Sequence, residues 1–315
     1  MQLVGSVCGR PTLRDAEVPM IKLVLTDIDD TLIPYGAPCA SDRTRRAIHD
    51  FLDEGLHFGP VSGRVPNAMG WMFGGDERCF ATGAFANGQV VRIDGEVVRE
   101  VPTDSELLRE VAGVLDELGC DAWLTVYSLD ECGGVTFVTS REEQLRDCLL
   151  RVGYGRPNRV AREPREFSYL KSNVYCVCSR ERMVLIRDTL RERVGALSFV
   201  FPSTVAPYID ISPAGWGKGE AVQLMAGELG VGLDEVATFG DSENDLSMIE
   251  AVPNSVAVAN ATEAVARAAR WHVGRCEDDA VARALTDIAH AARTGSTPSF
   301  MARPSEPGPF VPAGS

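Results

Sequence analysis

The sequence has no apolar run approaching the ~20 residues that a membrane-crossing helix needs. Its first nineteen residues also lack the long apolar centre of a secretory leader, and Asp15 and Glu17 lie within them. A cytoplasmic location away from membranes is therefore expected. Positive charge is scarce: 31 Lys and Arg stand against 45 Asp and Glu, for a net charge of −14. A nucleic-acid or anionic-membrane surface is not expected of such a chain, although a small anionic ligand is compatible with it where a local cation offsets the field. Lysine is nearly absent, with only Lys22, Lys171 and Lys218 in a chain that otherwise uses arginine. The four histidines, His49, His57, His272 and His290, do not group in sequence and read as surface or packing residues. Nine cysteines show neither CxxC nor Cys/His metal spacing, so reduced thiols are expected rather than a disulfide framework. Cys176 and Cys178 would share one face of a strand, which suits packing better than ligation. There is no internal repeat.

What is present is an apolar run, Ile21 to Thr26, that ends in Asp27-Ile28-Asp29. An open α/β sheet places its chemistry where a buried strand ends in polar side chains. A second acidic cluster, Gly240-Asp241-Ser242-Glu243-Asn244-Asp245, follows another apolar strand, Val236 to Phe239. Two such clusters invite one divalent cation between them.

The length, 315 residues, suggests two domains. Strand and helix patterns alternate from Ile21: a strand, a helix capped by Ser41 and stopped by Gly55, a strand at Leu56–Val61, a short helix opened by Pro66, and a strand at Cys79–Thr82. The pattern then changes to a hairpin around Asp94-Gly95, followed by strands and helices in an α+β order. Alternation resumes from Gly217. The expected fold is α/β, with a doubly wound parallel-sheet core interrupted by an inserted α+β cap. The boundaries read as an N-terminal extension at 1–19, core at 20–85, cap at 86–213, core again at 214–293 and a disordered Pro-, Gly- and Ser-rich tail at 294–315. Met20, just before the first strand, is either the true start or the first ordered residue.

Four separated pieces need one explanation: Asp27 with Asp29, Ser62, Lys218, and Asp241 with Asp245. Phosphoryl transfer uses such a set. One carboxylate attacks phosphorus, and a second carries a proton to the leaving oxygen and later takes one from water. Mg²⁺ suits carboxylate and phosphate oxygens, a lysine neutralises the transferring group, and a serine hydroxyl donates to it. The bland readings are turn and helix caps for the aspartates, a turn residue for Ser62 and an exposed helix start for Lys218. Arg64 reads equally as a substrate contact or a structural ion-pair partner. The arginines between Arg151 and Arg165 read as a solvated cap loop.

With Asp27-Ile28-Asp29-Asp30-Thr31-Leu32, Val61-Ser62-Gly63-Arg64, Gly217-Lys218-Gly219 and Gly240-Asp241-Ser242-Glu243-Asn244-Asp245 in this order and spacing, the chain resembles the haloacid-dehalogenase-like (HAD) phosphatases of the Cof-type, subfamily IIB class over about residues 20–293. The resemblance implies Asp27 as nucleophile and metal ligand, and Asp29 as general acid/base with its backbone carbonyl on the metal. It implies Ser62, Lys218 and Asn244 around the phosphoryl group, Asp241 on Mg²⁺, and Asp245 as a ligand or a support for one. Asp30, and Ala280 in Asp279-Ala280-Val281, stand where the family often has glycine. The implied activity is hydrolysis of a small phosphorylated metabolite, a sugar phosphate being the typical class. A phosphosugar mutase and a non-catalytic phosphometabolite-binding regulator are the alternatives. Substrate, pathway, cap specificity residues and oligomeric state are left open by the sequence.

Overall fold

A computed structural model describes residues 20–128, 134–154 and 159–302. At its centre is a five-stranded sheet in the spatial order Trp271–His272, Asn254–Ala257, Val236–Gly240, Leu23–Thr26, His57–Pro60, with every pair parallel. The strand Leu23–Thr26 is buried on both faces, as its apolar run requires. Side chains alternate across it. Val24 points into a cluster with Ile48, Phe51, Leu285 and Ile288, from helices Asp42–Asp53 and Ala280–Thr294. Leu23 and Leu25 point the other way, onto Val222, Met225 and Met248 of helices Lys218–Glu228 and Leu246–Ala251. Helices therefore cover both faces, and the doubly wound core is present as expected.

The inserted module is built on a six-stranded sheet, ordered Leu197–Val200, Tyr208–Pro213, Ser172–Cys176, Ala122–Ser128, Gly134–Val138, Arg159–Ala161. All pairs are antiparallel except the last. One face, carrying Leu124, Val126, Val174, Ile209 and Ile211, packs on helices Ser105–Leu118 and Arg180–Arg193. The opposite face is divided. Trp123, Phe137 and Tyr175 are covered by Leu145 and Leu149 of helix Glu142–Arg151. Further along the same face, Thr125, Asn173 and Asp210 stand in register across three strands and look toward the core domain.

Several sequence-based boundaries move. The expected strand at Cys79–Thr82 is instead a 3₁₀ turn at Glu77–Cys79, with the strand at Gly83–Phe85. The shift follows a close backbone approach: a Cβ on Gly83 would lie 2.8 Å from the Pro60 carbonyl oxygen. The hairpin Val90–Ile93 with Glu96–Glu100 forms as expected, and Asp94 and Gly95 at its turn have φ of 51° and 87°. However, Val90 and Val91 pack in the core clusters, so the insert begins structurally after this hairpin rather than at residue 86. The short strand Trp271–His272 carries too few residues to show a pattern in the sequence.

The expected tail from 294 also needs correction. Ser299–Met301 forms a turn, Met301 is 2% exposed in the main core, and the Phe300 ring lies 6.3 Å from that of Phe239. A Pro-, Gly- and Ser-rich composition concealed two anchoring side chains. The expectations for 1–19 and 303–315 lie outside the described residues. No helix among the described residues is long and apolar enough to cross a membrane. Met301→Ala should destabilise the fold by about 2–5 kcal/mol, the range for deleting a buried Met side chain, as read from urea unfolding.

Candidate active site

Three neighbouring strands of the core sheet, running out to its edge strand His57–Pro60, end side by side, and their C-terminal ends carry the predicted residues. Asp27 follows Leu23–Thr26, Ser62 lies just past His57–Pro60, and Asp241 follows Val236–Gly240. The Asp27 N–H donates to the Phe239 carbonyl at 2.9 Å, which fixes the chain as it leaves the sheet.

Lys218, the first residue of its helix, is 1% exposed. Its Nζ donates to Asp27 Oδ1 and to Asp245 Oδ1, each at 2.5 Å. The other oxygen of Asp245 accepts the N–H groups of Asp241 and Ser242 at 2.9 and 3.0 Å. Both Asp245 oxygens are thus engaged, and the residue braces the loop that presents Asp241. The brace needs Gly240, because a Cβ there would lie 2.7 Å from the Asp245 Cβ. Thr31 Oγ1 donates to Asp241 Oδ1 at 3.0 Å.

Asp27, Asp241 and Asp245 are all buried, and each offers one carboxylate oxygen within 4.8 Å of the others. One ammonium offsets three carboxylates. Burial first, then the Asp245 charge, push the Asp27 carboxyl up to about 8, and Lys218 opposes this only in part. Burial and the neighbouring Asp245 and Asp27 also raise Asp241 well above the usual carboxylate range. Burial alone would lower the Lys218 ammonium, but its two carboxylate partners outweigh it and the net shift is upward. An all-oxygen cluster short of positive charge fits a hard divalent cation.

Asp29 lies two residues beyond Asp27 at the cavity, and it does not join this cluster. Arg64 grips its carboxylate with both prongs, Nε to Oδ2 and Nη2 to Oδ1, each at 2.7 Å. Arg64 is therefore an ion-pair partner in this state, and it also lines the cavity. Ser62 is buried, and its Oγ accepts the Arg64 N–H at 3.1 Å. Asn244 Oδ1 accepts from Ser242 Oγ at 2.9 Å, while its amide reaches Asn87 Oδ1 at 3.4 Å.

Asn87 leads to residues that the sequence reading missed. Its Nδ2 donates to Asp210 Oδ2 at 2.7 Å, and Lys171 Nζ donates to Asp210 Oδ1 at 2.7 Å. Asp210 and Lys171 come from the cap sheet, so this chain of bonds crosses from core to cap. Arg187 and Arg191 on a cap helix make a second tie, both reaching Glu243 Oε1 at 3.2 Å. Between the two domains is a cavity of about 380 Å³, lined by Asp27, Asp29 and Arg64 below and by Tyr127, Lys171 and Asn173 above. Lys171 shared the rarity that drew attention to Lys218. Asn87 sits in a loop where Ala86, Asn87 and Gly88 all have positive φ, at 52°, 58° and 91°, a concentration of strain that favours functional loops.

Of the two departures from the family's glycine pattern, Asp30 keeps a left-handed conformation that glycine adopts freely, whereas Ala280 is the first residue of a helix and the left-handed residue is its neighbour Asp279. Asp30 has φ 60° and accepts the Tyr35 N–H at 2.8 Å. Asp279, just before Ala280, has φ 52° and accepts from Ser41 Oγ at 3.0 Å. Aspartate tolerates this region better than most residues because its side chain bonds locally. Away from the site, His49, Asp76 and Cys79 come together although the histidines do not group in sequence. Arg78 can only donate to His49 Nδ1, at 3.3 Å. The His49 proton is therefore on Nε2, 2.7 Å from Asp76, and these groups satisfy one another.

The raised Asp27 pKa gives a pH-dependent cost. Between the ordinary value of 3.8 and about 8, the unfolded chain ionises this carboxyl while the folded chain keeps it protonated, so stability is lost as pH rises through that window. In chelator-treated protein, Asp27→Asn should therefore gain Tm over the wild type progressively from pH 4 to pH 8. A pH series of thermal melts reads this gain.

The family model for haloacid dehalogenase-like hydrolases matches residues 24–285. A Haemophilus influenzae protein, itself only provisionally named a phosphatase, is 25% identical over 272 residues, covering 85% of this chain and 98% of its own. Among solved structures, a Streptococcus mutans protein superposes with a TM-score of 0.71 at 19% identity, over 84% of this chain and 97% of its own. A sugar phosphatase of HAD subclass IIB superposes with a TM-score of 0.65 at 17% identity, over 87% and 99%. At those identities the structures speak for the fold, while the family match spans both halves of the core and the insert between them. The chain belongs to the haloacid dehalogenase-like hydrolases.

Proposed function

We propose that the protein is a Mg²⁺-dependent phosphomonoester hydrolase that works through an aspartyl-phosphate on Asp27. The observation that carries this reading is the placement of two aspartates with different surroundings at one cavity. Asp27 sits on the buried Lys218, and Asp29 stands two residues away in the partly exposed grip of Arg64. One is set deep among charges and the other is at the leaving-group side.

Lys218 holds Asp27 Oδ1, which leaves Oδ2 to attack phosphorus in line. The bond from phosphorus to the ester oxygen breaks, and Asp29 gives that oxygen its proton. A water then attacks the aspartyl-phosphate, Asp29 takes the water's proton, and inorganic phosphate leaves with Asp27 restored. Lys218, Ser62 and Asn244 are the chain's candidates for holding the equatorial oxygens. Asp27, Asp241 and the Asp29 backbone carbonyl would hold Mg²⁺, which when bound neutralises charge on the phosphoryl group. With Lys218 and two backbone N–H groups already on Asp245, this residue fits the supporting role better than direct ligation. The cap closes the cavity from above and contacts the leaving group. A small phosphorylated metabolite fits the cavity of about 380 Å³. The sugar phosphatase among the fold relatives supports a sugar phosphate as one candidate.

Phosphate release from a panel of sugar phosphates, other small phosphate esters and nucleotides tests this reading. Turnover should disappear with EDTA and return with Mg²⁺. Asp27→Asn should lower kcat by at least about a thousandfold while its circular dichroism stays native. Isomerised sugar phosphate without free phosphate would assign a mutase instead. Full turnover by Asp27→Asn would remove the nucleophile.

A further inference from the structure

Every cysteine among the described residues is a free thiol. Three of them, Cys120, Cys176 and Cys178, share one corner of the cap. All three lie on the sheet face that packs against helices Ser105–Leu118 and Arg180–Arg193.

Strand register brings two of them face to face. Ser172–Cys176 runs antiparallel to Ala122–Ser128, and the last pair in that register is Cys176 opposite Ala122. The ladder goes one step further, because the Val177 N–H donates to the Asp121 carbonyl at 2.7 Å. In an antiparallel ladder, hydrogen-bonded pairs alternate with pairs that exchange no backbone bond. Val177 and Asp121 are of the first kind, so the next pair outward, Cys178 and Cys120, is of the second. Pairs of that kind stand closest, with Cα atoms ~4.5 Å apart, and a disulfide spans about 4.4–6.8 Å between Cα atoms. Both side chains have the parity that points to one face, and both pack against the same apolar cluster. Cys176 is a poorer partner. Two steps along one strand cover roughly 6.6 Å, at the far limit of that span. Cys176 is also buried, whereas Cys120 and Cys178 are partly exposed to a dissolved reagent.

The two thiols have different surroundings. The Cys176 thiol beside Cys178, and then the Arg182 guanidinium, hold Cys178 below the ordinary thiol range against the effect of burial. Burial raises Cys120. Cys178 is therefore the better attacking group of the pair.

We infer that Cys120 and Cys178 form a site of reversible oxidation in the cap, a cross-strand dithiol that a low-molecular-weight disulfide closes. The Cys178 thiolate attacks one sulfur of the small disulfide, whose S–S bond breaks and releases one thiolate. The Cys120 thiolate then attacks Cys178 Sγ, the mixed disulfide breaks, and the second small thiolate leaves. The two cysteines give up two electrons, the small disulfide takes them, and the two thiol protons pass to the two released thiolates. The new bond joins the residue after the Gly119 cap of Ser105–Leu118 to the residue before the Ser179 cap of Arg180–Arg193. The second helix carries Arg187 and Arg191, which reach Glu243 in the core. Oxidation at this corner thus fastens the helix by which the cap holds the core. The inference stands apart from the hydrolase reading.

The test equilibrates the full-length protein with oxidised glutathione, blocks free thiols with N-ethylmaleimide and maps the unreduced products by mass spectrometry. The folded wild type should lose two N-ethylmaleimide adducts relative to reduced protein and yield a peptide linked through Cys120 and Cys178. Cys176→Ala should keep that bond. Cys120→Ser should stop one step earlier, with glutathione retained on Cys178, while Cys178→Ser should leave Cys120 unmodified. In urea the wild type should lose the selective bond, because the fold rather than sequence proximity brings the pair together. Full alkylation of both thiols after the oxidant overturns the inference. So does a bond mapped to Cys176 and Cys178, glutathione left on Cys178 of the wild type, or the same bond formed to the same extent in urea. An adduct on Cys120 of Cys178→Ser equal to that on Cys178 of Cys120→Ser overturns the attacking role given to Cys178.

Discussion

One buried ammonium organises this molecule. Lys218 lies at the start of a helix near the end of strand Leu23–Thr26 and joins Asp27, from the first half of the core, to Asp245, from the second. Between these halves the chain makes a whole additional domain. The contact is not a cheap source of stability, since burying three carboxylates around one ammonium carries a desolvation cost that a single cation does not offset. Its effect is to fix geometry. With Lys218 in place, Asp245 can brace the Asp241 loop with its other oxygen, and the shortage of positive charge leaves the cluster suited to a divalent cation.

The sequence was most legible where chemistry follows directly from a strand end. Asp27, Ser62 and Asp241 each lie just beyond an apolar run, and parallel strands that are neighbours in a sheet must bring such positions together. The hairpin at Asp94-Gly95 was legible because both turn residues tolerate positive φ. The strand expected at Cys79–Thr82 was misplaced because its true position depends on two backbones passing closely at Gly83, a fact about space rather than pattern. The tail boundary failed for a related reason. Composition averages over a window, whereas Phe300 and Met301 act as two individual side chains.

The upper half of the site was the least legible. Lys171, Asn173 and Asp210 are ordinary strand residues in sequence, and nothing local marks them as neighbours. They meet because three antiparallel strands pair in one register, and they face the core because Ile209, Val174 and Leu124 face the helices. Arg64 shows a different limit. Its sequence context left a substrate contact and an ion-pair partner equally open, and the structure makes the second true without removing the first.

The alternation of the cap strands has an evolutionary consequence. Side chains that hold the sheet to helices Ser105–Leu118 and Arg180–Arg193 occupy one parity along each strand, and side chains that look into the cavity occupy the other. Substitutions at Tyr127 or Asn173 therefore change the chemical lining of the chamber without touching the residues that hold the cap sheet on these two helices. The two sets can drift independently. Such a roof can be refitted for new ligands over a reaction floor that stays the same.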